Sequence, residues 1–189
     1  MSEPAPRAMS MEEYLRTEEK SPYKREYVGG FVYPLHAQAG ARRPHVLICM
    51  NIAGTLYADA IRAGCRLYQS DMKLRAQDSS SFFYPDVMLV CDQDSGDQDA
   101  ETSPCLLVEV LSDSTASHDR FGKYGVYTAI PSLQTYLIVE QKERRVYAYS
   151  RQESGWQLQE LVGSGEIEVP CLGRTLTLDE IYLGVLEGT

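Results

Sequence analysis

Two acidic residues stand inside the most apolar segments of the chain. Asp86 lies in "SFFYPDVMLV", residues 81–90, and Glu109 lies in "CLLVEVLS", residues 105–112. Moving a polar group out of water without a hydrogen-bonding partner costs on the order of 2–7 kcal/mol, and moving a charge costs more. Both carboxylates therefore need partners.

The spacing of these two residues suggests that they lie side by side. If the two segments form an antiparallel pair closed by the acidic loop "DQDSGDQDAE", residues 92–101, directly opposed residues have numbers with a constant sum. The midpoint between Asp86 and Glu109 falls inside that loop. The same reasoning about the preceding link places Asp71 beside Asp86 to within one residue. We therefore expect Asp86 opposite Glu109, with Asp71 as an additional candidate.

Two facing carboxylates in a poorly hydrated site repel each other unless a cation lies between them. A hard divalent ion with oxygen ligands, Mg²⁺ or Mn²⁺, meets this requirement. The alternative is that Asp86 caps a strand after Pro85 and that Glu109 pairs with an Arg or Lys. The residues alone leave both interpretations open.

The elements that carry these residues follow from hydrophobic periodicity and turn signals. The pattern predicts a loose tail over residues 1–10 and a single α/β domain over residues 11–189. In chain order we expect a short helix, a hairpin around Gly29 and Gly30, a long helix, three strands, a second long helix and a strand, followed by a hairpin. The corresponding ranges are residues 11–19, 23–35, 41–64, 66–75, 82–91, 105–112, 117–130, 133–140 and 144–163.

Several of these segments together resemble one protein family. The stretches "EYVGG", "YPDVMLV", "LLVEVLSDST", "DRFGKYGVY" and "IPSLQTYLIVE" are similar to the Uma family of restriction-endonuclease-like proteins, over about residues 9–182. The family belongs to the PD-(D/E)xK nuclease superfamily. The resemblance implies an αβββαβ core with a mixed central sheet, extended by an N-terminal helix and hairpin and a C-terminal hairpin. That order agrees with the one read from the patterns.

The resemblance also implies roles for individual residues. Asp86 and Glu109 match the two acids that hold the divalent ion. Leu111 stands where many members of the superfamily carry a lysine, and Lys123, on the following helix, resembles the relocated lysine that orients water or stabilises the phosphate. Glu26 matches an acid that completes the metal shell directly or through water.

His45 resembles a family histidine at the start of the long helix that could reach a phosphate. A helix-capping or surface role is the alternative for His45.

The implied function is a metal-dependent endonuclease that hydrolyses phosphodiester bonds, with DNA as the expected substrate. Two alternatives remain. The first is a noncatalytic nucleic-acid- or protein-binding module on the same fold, and the second is a hydrolase of small phosphoesters. The formal net charge of −9 favours the noncatalytic module, because phosphate contacts are made by Lys and Arg.

The remaining composition indicates a cytoplasmic protein. No segment has the features of a signal peptide or the length of a membrane helix. The five cysteines are odd in number and lack CxxC spacing, so we expect reduced thiols, and neither disulfides nor a zinc knot. Tyr147, Tyr149 and Trp156 in the C-terminal hairpin suggest an uncovered face and hence a homodimer or higher homo-oligomer, with packing into the core as the alternative.

Overall fold

The computed structural model describes residues 6–35, 42–76, 80–92, 97–111 and 116–186, and the side chains of 116–121 are excluded from that description. The helices of the described part are α1 (Met11–Glu18), α2 (Arg43–Arg62), α3 (Ala116–Thr128) and α4 (Leu178–Ile181), with a 3₁₀ turn at Pro170–Leu172. None of the described helices is long and apolar enough to cross a membrane.

The strands of the described part, in chain order, are β1 (Arg7–Ala8), β2 (Arg25–Val28), β3 (Phe31–Pro34), β4 (Arg66–Gln69), β5 (Lys73–Ala76), β6 (Ser81–Phe83), β7 (Val87–Val90), β8 (Ala100–Glu101), β9 (Leu106–Val110), β10 (Thr135–Val139), β11 (Arg145–Gln152), β12 (Gly155–Val162), β13 (Glu166–Val169) and β14 (Arg174–Thr177).

These strands form two six-stranded sheets and a two-stranded ribbon. The N-terminal sheet has the order β1-β3-β2-β6-β5-β8, the main sheet has the order β12-β11-β10-β9-β7-β4, and β13 pairs with β14. In the main sheet β9 and β10 are parallel, and the other neighbours are antiparallel. The mixed α/β class expected from the sequence is confirmed.

The expected element order runs through the main sheet as α2, β4, β7, β9, α3 and β10. Two of the expected strands are each broken in two, however. Residues 66–75 divide into β4 and β5, and residues 82–91 divide into β6 and β7. Because β5 and β6 belong to the N-terminal sheet, the chain leaves the main sheet after β4 and returns to it at β7. The prediction of three continuous strands was wrong at this point.

The register between β7 and β9 is the predicted one. Val87 pairs with Val108, Met88 with Leu107 and Leu89 with Leu106. Continued by one residue, this ladder sets Asp86 opposite Glu109. The register predicted by the constant-sum argument is therefore confirmed for β7 and β9.

The main sheet separates two apolar cores. Alternate residues of each strand face opposite sides, so Val87, Leu89 and Val108 pack with α2 and α4. Met88, Val90 and Leu107 pack on the other side with Tyr127 of α3 and with Phe83 of the N-terminal sheet. A third, aromatic cluster joins α1 to the N-terminal sheet. The central strands β7, β9 and β10 are therefore buried on both faces, as their unbroken apolar runs require.

The N-terminal residues are part of this fold from Arg7 onward. β1 pairs with β3, and Ser10 caps α1 by accepting a hydrogen bond from the Glu13 backbone N–H at 3.2 Å. The expected tail over residues 1–10 therefore contains a strand and a helix cap, and residues 1–5 lie outside the described residues.

The cysteines differ from the expectation of reduced thiols. Cys65 is bonded to Cys91 and Cys105 to Cys171, and Cys49 is free and buried. The partners are 26 and 66 residues apart in sequence, a spacing that has no recognisable motif. The main sheet brings them together, because Cys65 and Cys91 flank the paired strands β4 and β7.

Candidate functional site

Asp86 lies where the chain crosses from the N-terminal sheet to the main sheet. Pro85 has no backbone N–H to give to a ladder, and β6 ends two residues before it. The Asp86 carbonyl accepts a hydrogen bond from Ser70 N–H at 3.1 Å. Its carboxylate Oδ2 accepts one from Val110 N–H at 2.7 Å. The strand break thus turns the Asp86 side chain toward the end of β9.

His45 is the second partner of Asp86. It lies in the first turn of α2, with Nε2 at 3.3 Å from Asp86 Oδ2 and Nδ1 at 3.8 Å from the Cys49 sulfur. Burial, followed by the negative charges of Asp86 and Glu109, raises the pKa of the Cys49 thiol far above its usual range. This environment favours the neutral thiol of Cys49 over the thiolate.

Glu109 and Lys123 form a buried ion pair. Both residues are 3% exposed, and Lys123 Nζ lies 3.0 Å from Glu109 Oε1. Lys123 is therefore not an ordinary solvated lysine of a helix surface. The same ammonium group lies 2.8 Å from Glu26 Oε1, so that one cation is held between two carboxylates.

Tyr127 completes this cluster and was not predicted. Its hydroxyl donates to Glu109 Oε1 at 2.7 Å. Burial raises the pKa of Tyr127 well above its usual range, and the adjacent Glu109 adds to the effect. Tyr127 follows Lys123 by four residues on α3, so that the two side chains share one helix face. That spacing is the signal in the sequence that could have identified Tyr127.

Asp71 does not join the group. Its side chain is 86% exposed and pairs with Lys24, on the solvent side of the turn between β4 and β5. The structure thus brings together Asp86 with His45, and Glu109 with Lys123 and Glu26. It places Asp71 outside.

Each carboxylate of the site has a protein partner, so that repulsion alone does not demand a bridging cation. The three acids Asp86, Glu109 and Glu26 and the single ammonium of Lys123 nevertheless leave a formal charge of −2. Among the described residues, one group of metal-capable atoms lying within 4.8 Å of one another is His45, Cys49 and Asp86. That group holds one imidazole, one thiol and one carboxylate, and the carboxylates of Asp86, Glu109 and Glu26 do not all lie within that distance of one another. Carboxylate oxygens such as those of Asp86 and Glu109 are the donors that a hard divalent ion prefers.

Fold and site together describe a mixed α/β protein with an acidic, lysine-containing site at the end of its main sheet. Residues 11–179 match the Uma2 family, described as "Putative restriction endonuclease", and the chain belongs to this family. This confirms the resemblance noted from the sequence motifs.

Two proteins of Synechocystis sp. are similar to this chain. One, named uncharacterized protein slr1290, is 34% identical over 187 residues, which is 97% of this chain and 96% of its own length. The other, uncharacterized protein sll1609, is 37% identical over 161 residues, covering 82% of this chain and 89% of its own length.

Among solved structures, the following one has a similar fold. It is the crystal structure of a protein from Anabaena variabilis, titled a putative nuclease belonging to DUF820, with a TM-score of 0.70 at 13% identity. The match covers 92% of this chain and 97% of that one.

Proposed function

We propose that this protein is an endonuclease that depends on a divalent metal ion and hydrolyses phosphodiester bonds, with DNA as its substrate, on a restriction-endonuclease-like αβββαβ core. The observation that carries the proposal is the burial of Lys123 between Glu26 and Glu109, next to the Asp86 strand break. Removing an ammonium group and two carboxylates from water costs several kcal/mol per ion. Such a cluster is typical of a site whose charges act on a ligand. The family description agrees with this chemistry.

Asp86 and Glu109 would hold Mg²⁺ or Mn²⁺. The ion, when bound, supplies Lewis-acid activation of water and neutralises charge on the phosphate. Glu109 keeps the Lys123 ammonium in place, and Tyr127 fixes Glu109 through its hydroxyl. Lys123 would donate to a phosphate oxygen or orient the attacking water. Glu26 would hold Lys123 from its other side, and His45 would position the Asp86 carboxylate.

The test is plasmid cleavage with Mg²⁺ or Mn²⁺, combined with calorimetric titration of Mn²⁺. We expect Asp86→Asn to lose cleavage and to weaken ion binding. We expect Lys123→Gln to lose cleavage by at least a hundredfold, which is the usual size of an acid–base or charge-stabilising contribution. Asp71→Asn is the matched control, because that exposed carboxylate lies outside the site, and it should cleave at the wild-type rate. Absence of Mn²⁺ binding to the folded wild type would exclude the proposal.

One observation favours the noncatalytic alternative, a nucleic-acid- or protein-binding module. Lys123 already has two carboxylate partners, so the cluster could serve as a structural ion pair, and Leu111 stands where many superfamily members carry lysine. In that case wild type and Asp71→Asn bind DNA or a partner protein without cleaving DNA at any Mn²⁺ concentration. Filter binding and cleavage measured on the same samples separate the two functions.

A further inference from the structure

Four cysteines converge at the end of the main sheet that lies away from Asp86. Cys65 precedes β4, Cys91 follows β7, Cys105 precedes β9 and Cys171 lies in the 3₁₀ turn. The sulfurs of Cys91 and Cys105, which belong to different disulfides, are 3.7 Å apart. Those of Cys91, Cys105 and Cys171 all lie within 4.8 Å of one another. Asp86 and Cys91 flank opposite ends of β7, so roughly 15 Å of strand separates this cluster from the candidate active site.

We propose that in the reduced protein these four cysteines bind one Zn²⁺ ion as a structural site. Tetrahedral Zn²⁺ with Zn–S bonds of about 2.3 Å places its sulfur ligands about 3.8 Å apart. Cys91 and Cys105 already have this separation. Cys65, whose sulfur is bonded to that of Cys91 but lies outside the group of three, supplies the fourth thiolate of a closed structural site once that bond is reduced. Cys91 and Cys171 are only partly buried, so an ion can reach the cluster from solvent.

The reduced state is reached by a defined reaction. Each disulfide takes two electrons and two protons from one equivalent of reductant, and two thiols result; a phosphine becomes its oxide with oxygen from water, and a dithiol becomes a cyclic disulfide. Zn²⁺ then displaces the thiol protons, because thiolate is the metal ligand. In a reducing compartment, clustered cysteines are more often metal ligands than disulfides. The ion would then replace the disulfides in joining β4, β7 and β9 to the turn at residues 170–172.

The experiment is an anaerobic titration of the phosphine-reduced, metal-free wild type with Co²⁺, followed by displacement with Zn²⁺. We expect one equivalent of Co²⁺ to give sulfur-to-cobalt charge-transfer bands that Zn²⁺ abolishes. Carboxylate ligands alone do not produce these bands, but the Cys49 sulfur lies within 4.8 Å of ligand atoms of His45 and Asp86, so a Cys49 variant is needed to exclude a contribution from that group. Cys105→Ser and Cys171→Ser should reduce the bands strongly, whereas Cys49→Ala, which removes the free cysteine, should leave them unchanged.

Native mass spectrometry of the reduced wild type needs no variant and should show one tightly held zinc ion per chain. Absence of charge-transfer bands in folded wild type would overturn the proposal, as would bands that both Ser variants leave intact.

A second inference comes from the outer face of α2. Between Arg43 and Arg62 the exposed positions of this helix carry no charge, and they include Val46, Met50, Tyr57 and Ile61, each 44–58% exposed. An exposed helix face is normally polar. Leu183, 68% exposed, lies beside this face, because Asn51 Nδ2 donates to the Leu183 carbonyl at 2.8 Å. We name these five residues the α2 surface.

The α2 surface is self-complementary in spacing. Val46 with Ile61, and Met50 with Tyr57, are symmetric about the small residues Ala53 and Gly54. A two-fold axis through that centre would set each large residue against its counterpart on an antiparallel α2 of a second chain, with close approach at Gly54. Covering the α2 surface on both chains removes on the order of 1,000 Å² of area, the lower bound for a specific interface. We infer that α2 is the dimerisation element of this protein.

Analytical ultracentrifugation tests this inference. Wild type should sediment at twice the chain mass of 21.2 kDa, and Met50→Glu or Tyr57→Glu should give a folded monomer. Leu158→Glu, on the exposed side of β12, is the control and should remain dimeric. Oxidation should cross-link Gly54→Cys to its own copy, and Val46→Cys only when Ile61→Cys is also present. A monomeric wild type, or dissociation by Leu158→Glu alone, would show that α2 is not the interface.

Discussion

At the scale of single residues, the electrostatics of the site centre on Lys123. Its ammonium group is held at 2.8 Å from Glu26 and 3.0 Å from Glu109, and all three side chains are almost fully buried. The two carboxylates lower the free-energy cost of burying the ammonium group, and the ammonium group lowers the cost of burying the carboxylates. Removing one member of such a group leaves an uncompensated buried charge.

We therefore expect Lys123→Met to lower the free energy of unfolding by about 3–5 kcal/mol at neutral pH. The double variant Lys123→Met with Glu109→Gln should recover part of that loss, because one buried charge is then removed as well. Urea denaturation measures both effects. Lys20→Met, at an exposed position, should change stability by less than about 0.5 kcal/mol. An equally small effect at Lys123 would show that its ammonium is solvated.

The buried hydroxyl of Tyr127 predicts a loss of stability at alkaline pH. Its pKa is raised in the folded protein, whereas an unfolded tyrosine ionises at about 10. The stabilisation by the neutral hydroxyl is therefore complete below about pH 10 and is lost as the pH rises above that value, because the unfolded chain releases the proton first.

The free energy of unfolding, obtained from urea denaturation at about pH 8 to 11, should fall above pH 10 by at most about 1.4 kcal/mol per pH unit for each such tyrosine. Tyr127→Phe should make the fall shallower. Tyr23→Phe removes the hydroxyl of a side chain that is 46% exposed and should leave the fall unchanged. Identical profiles for Tyr127→Phe and wild type would show that this hydroxyl is not protected by the fold.

The residues of the site differ in how far the sequence could identify them. The position of Asp86 opposite Glu109 follows from an antiparallel pair closed by a short link, which is a local property of the chain. Lys123 and Glu26 come from distant elements, and nothing in their local sequence shows that they meet Glu109. Only the family resemblance indicated them. Tyr127 was missed because a tyrosine on an apolar helix face is usually a core residue.

At the scale of elements, the break between β6 and β7 decides where the site forms. Both broken segments look like single strands in sequence, since β-prone residues continue through them. The breaks occur at Pro85 and at Ser70, whose φ of +61° is left-handed. The sequence could not predict these breaks, because they depend on partner strands from distant parts of the chain. β6 pairs with β2 of the N-terminal hairpin and β5 pairs with β8, and this pairing separates β5 and β6 from β4 and β7. Without the break, Asp86 would continue a ladder and could not reach Val110 N–H.

The attachment of α4 to α2 gives a prediction at this scale. Asn51 Nδ2 donates to the carbonyls of Ile181 and Leu183 at 3.0 and 2.8 Å. These carbonyls belong to the C-terminal end of α4 and its following turn, where helices leave carbonyls without partners. Asn51→Ala should lower the free energy of unfolding by about 1–3 kcal/mol.

Hydrogen exchange should show the corresponding local effect of Asn51→Ala, with faster exchange in α4 than in β9. Gln157→Ala on the exposed side of β12 provides the control and should alter neither quantity. If α4 in Asn51→Ala exchanges as slowly as in wild type, apolar packing alone holds the helix.

At the scale of the whole molecule, the cysteines show what topology adds to sequence. The spacing of the cysteines in the sequence matches no motif. Cys65 and Cys91 nevertheless become neighbours, because β4 pairs with β7 although β5 and β6 of the N-terminal sheet lie between them in the chain. Cys105 and Cys171 connect the start of β9 to the C-terminal ribbon of β13 and β14. The two disulfide bonds thus join the edge strand β4 to β7, and β9 to the ribbon of β13 and β14. Long closed loops make a disulfide more stabilising, because more unfolded-chain entropy is removed.

In the oxidised protein each bond should contribute about 2–4 kcal/mol. We expect a reductant, added with a metal chelator so that no ion can replace the disulfides, to lower the urea midpoint of wild type. Cys105→Ser with Cys171→Ser should show a smaller response to the reductant, and a variant with all four residues changed to serine should show none. Cys49→Ala should respond as wild type does, since the free thiol takes no part. If the urea midpoint of wild type is unchanged when the disulfides are reduced in the presence of the chelator, packing of the main sheet, and not the disulfide bonds, holds these segments together.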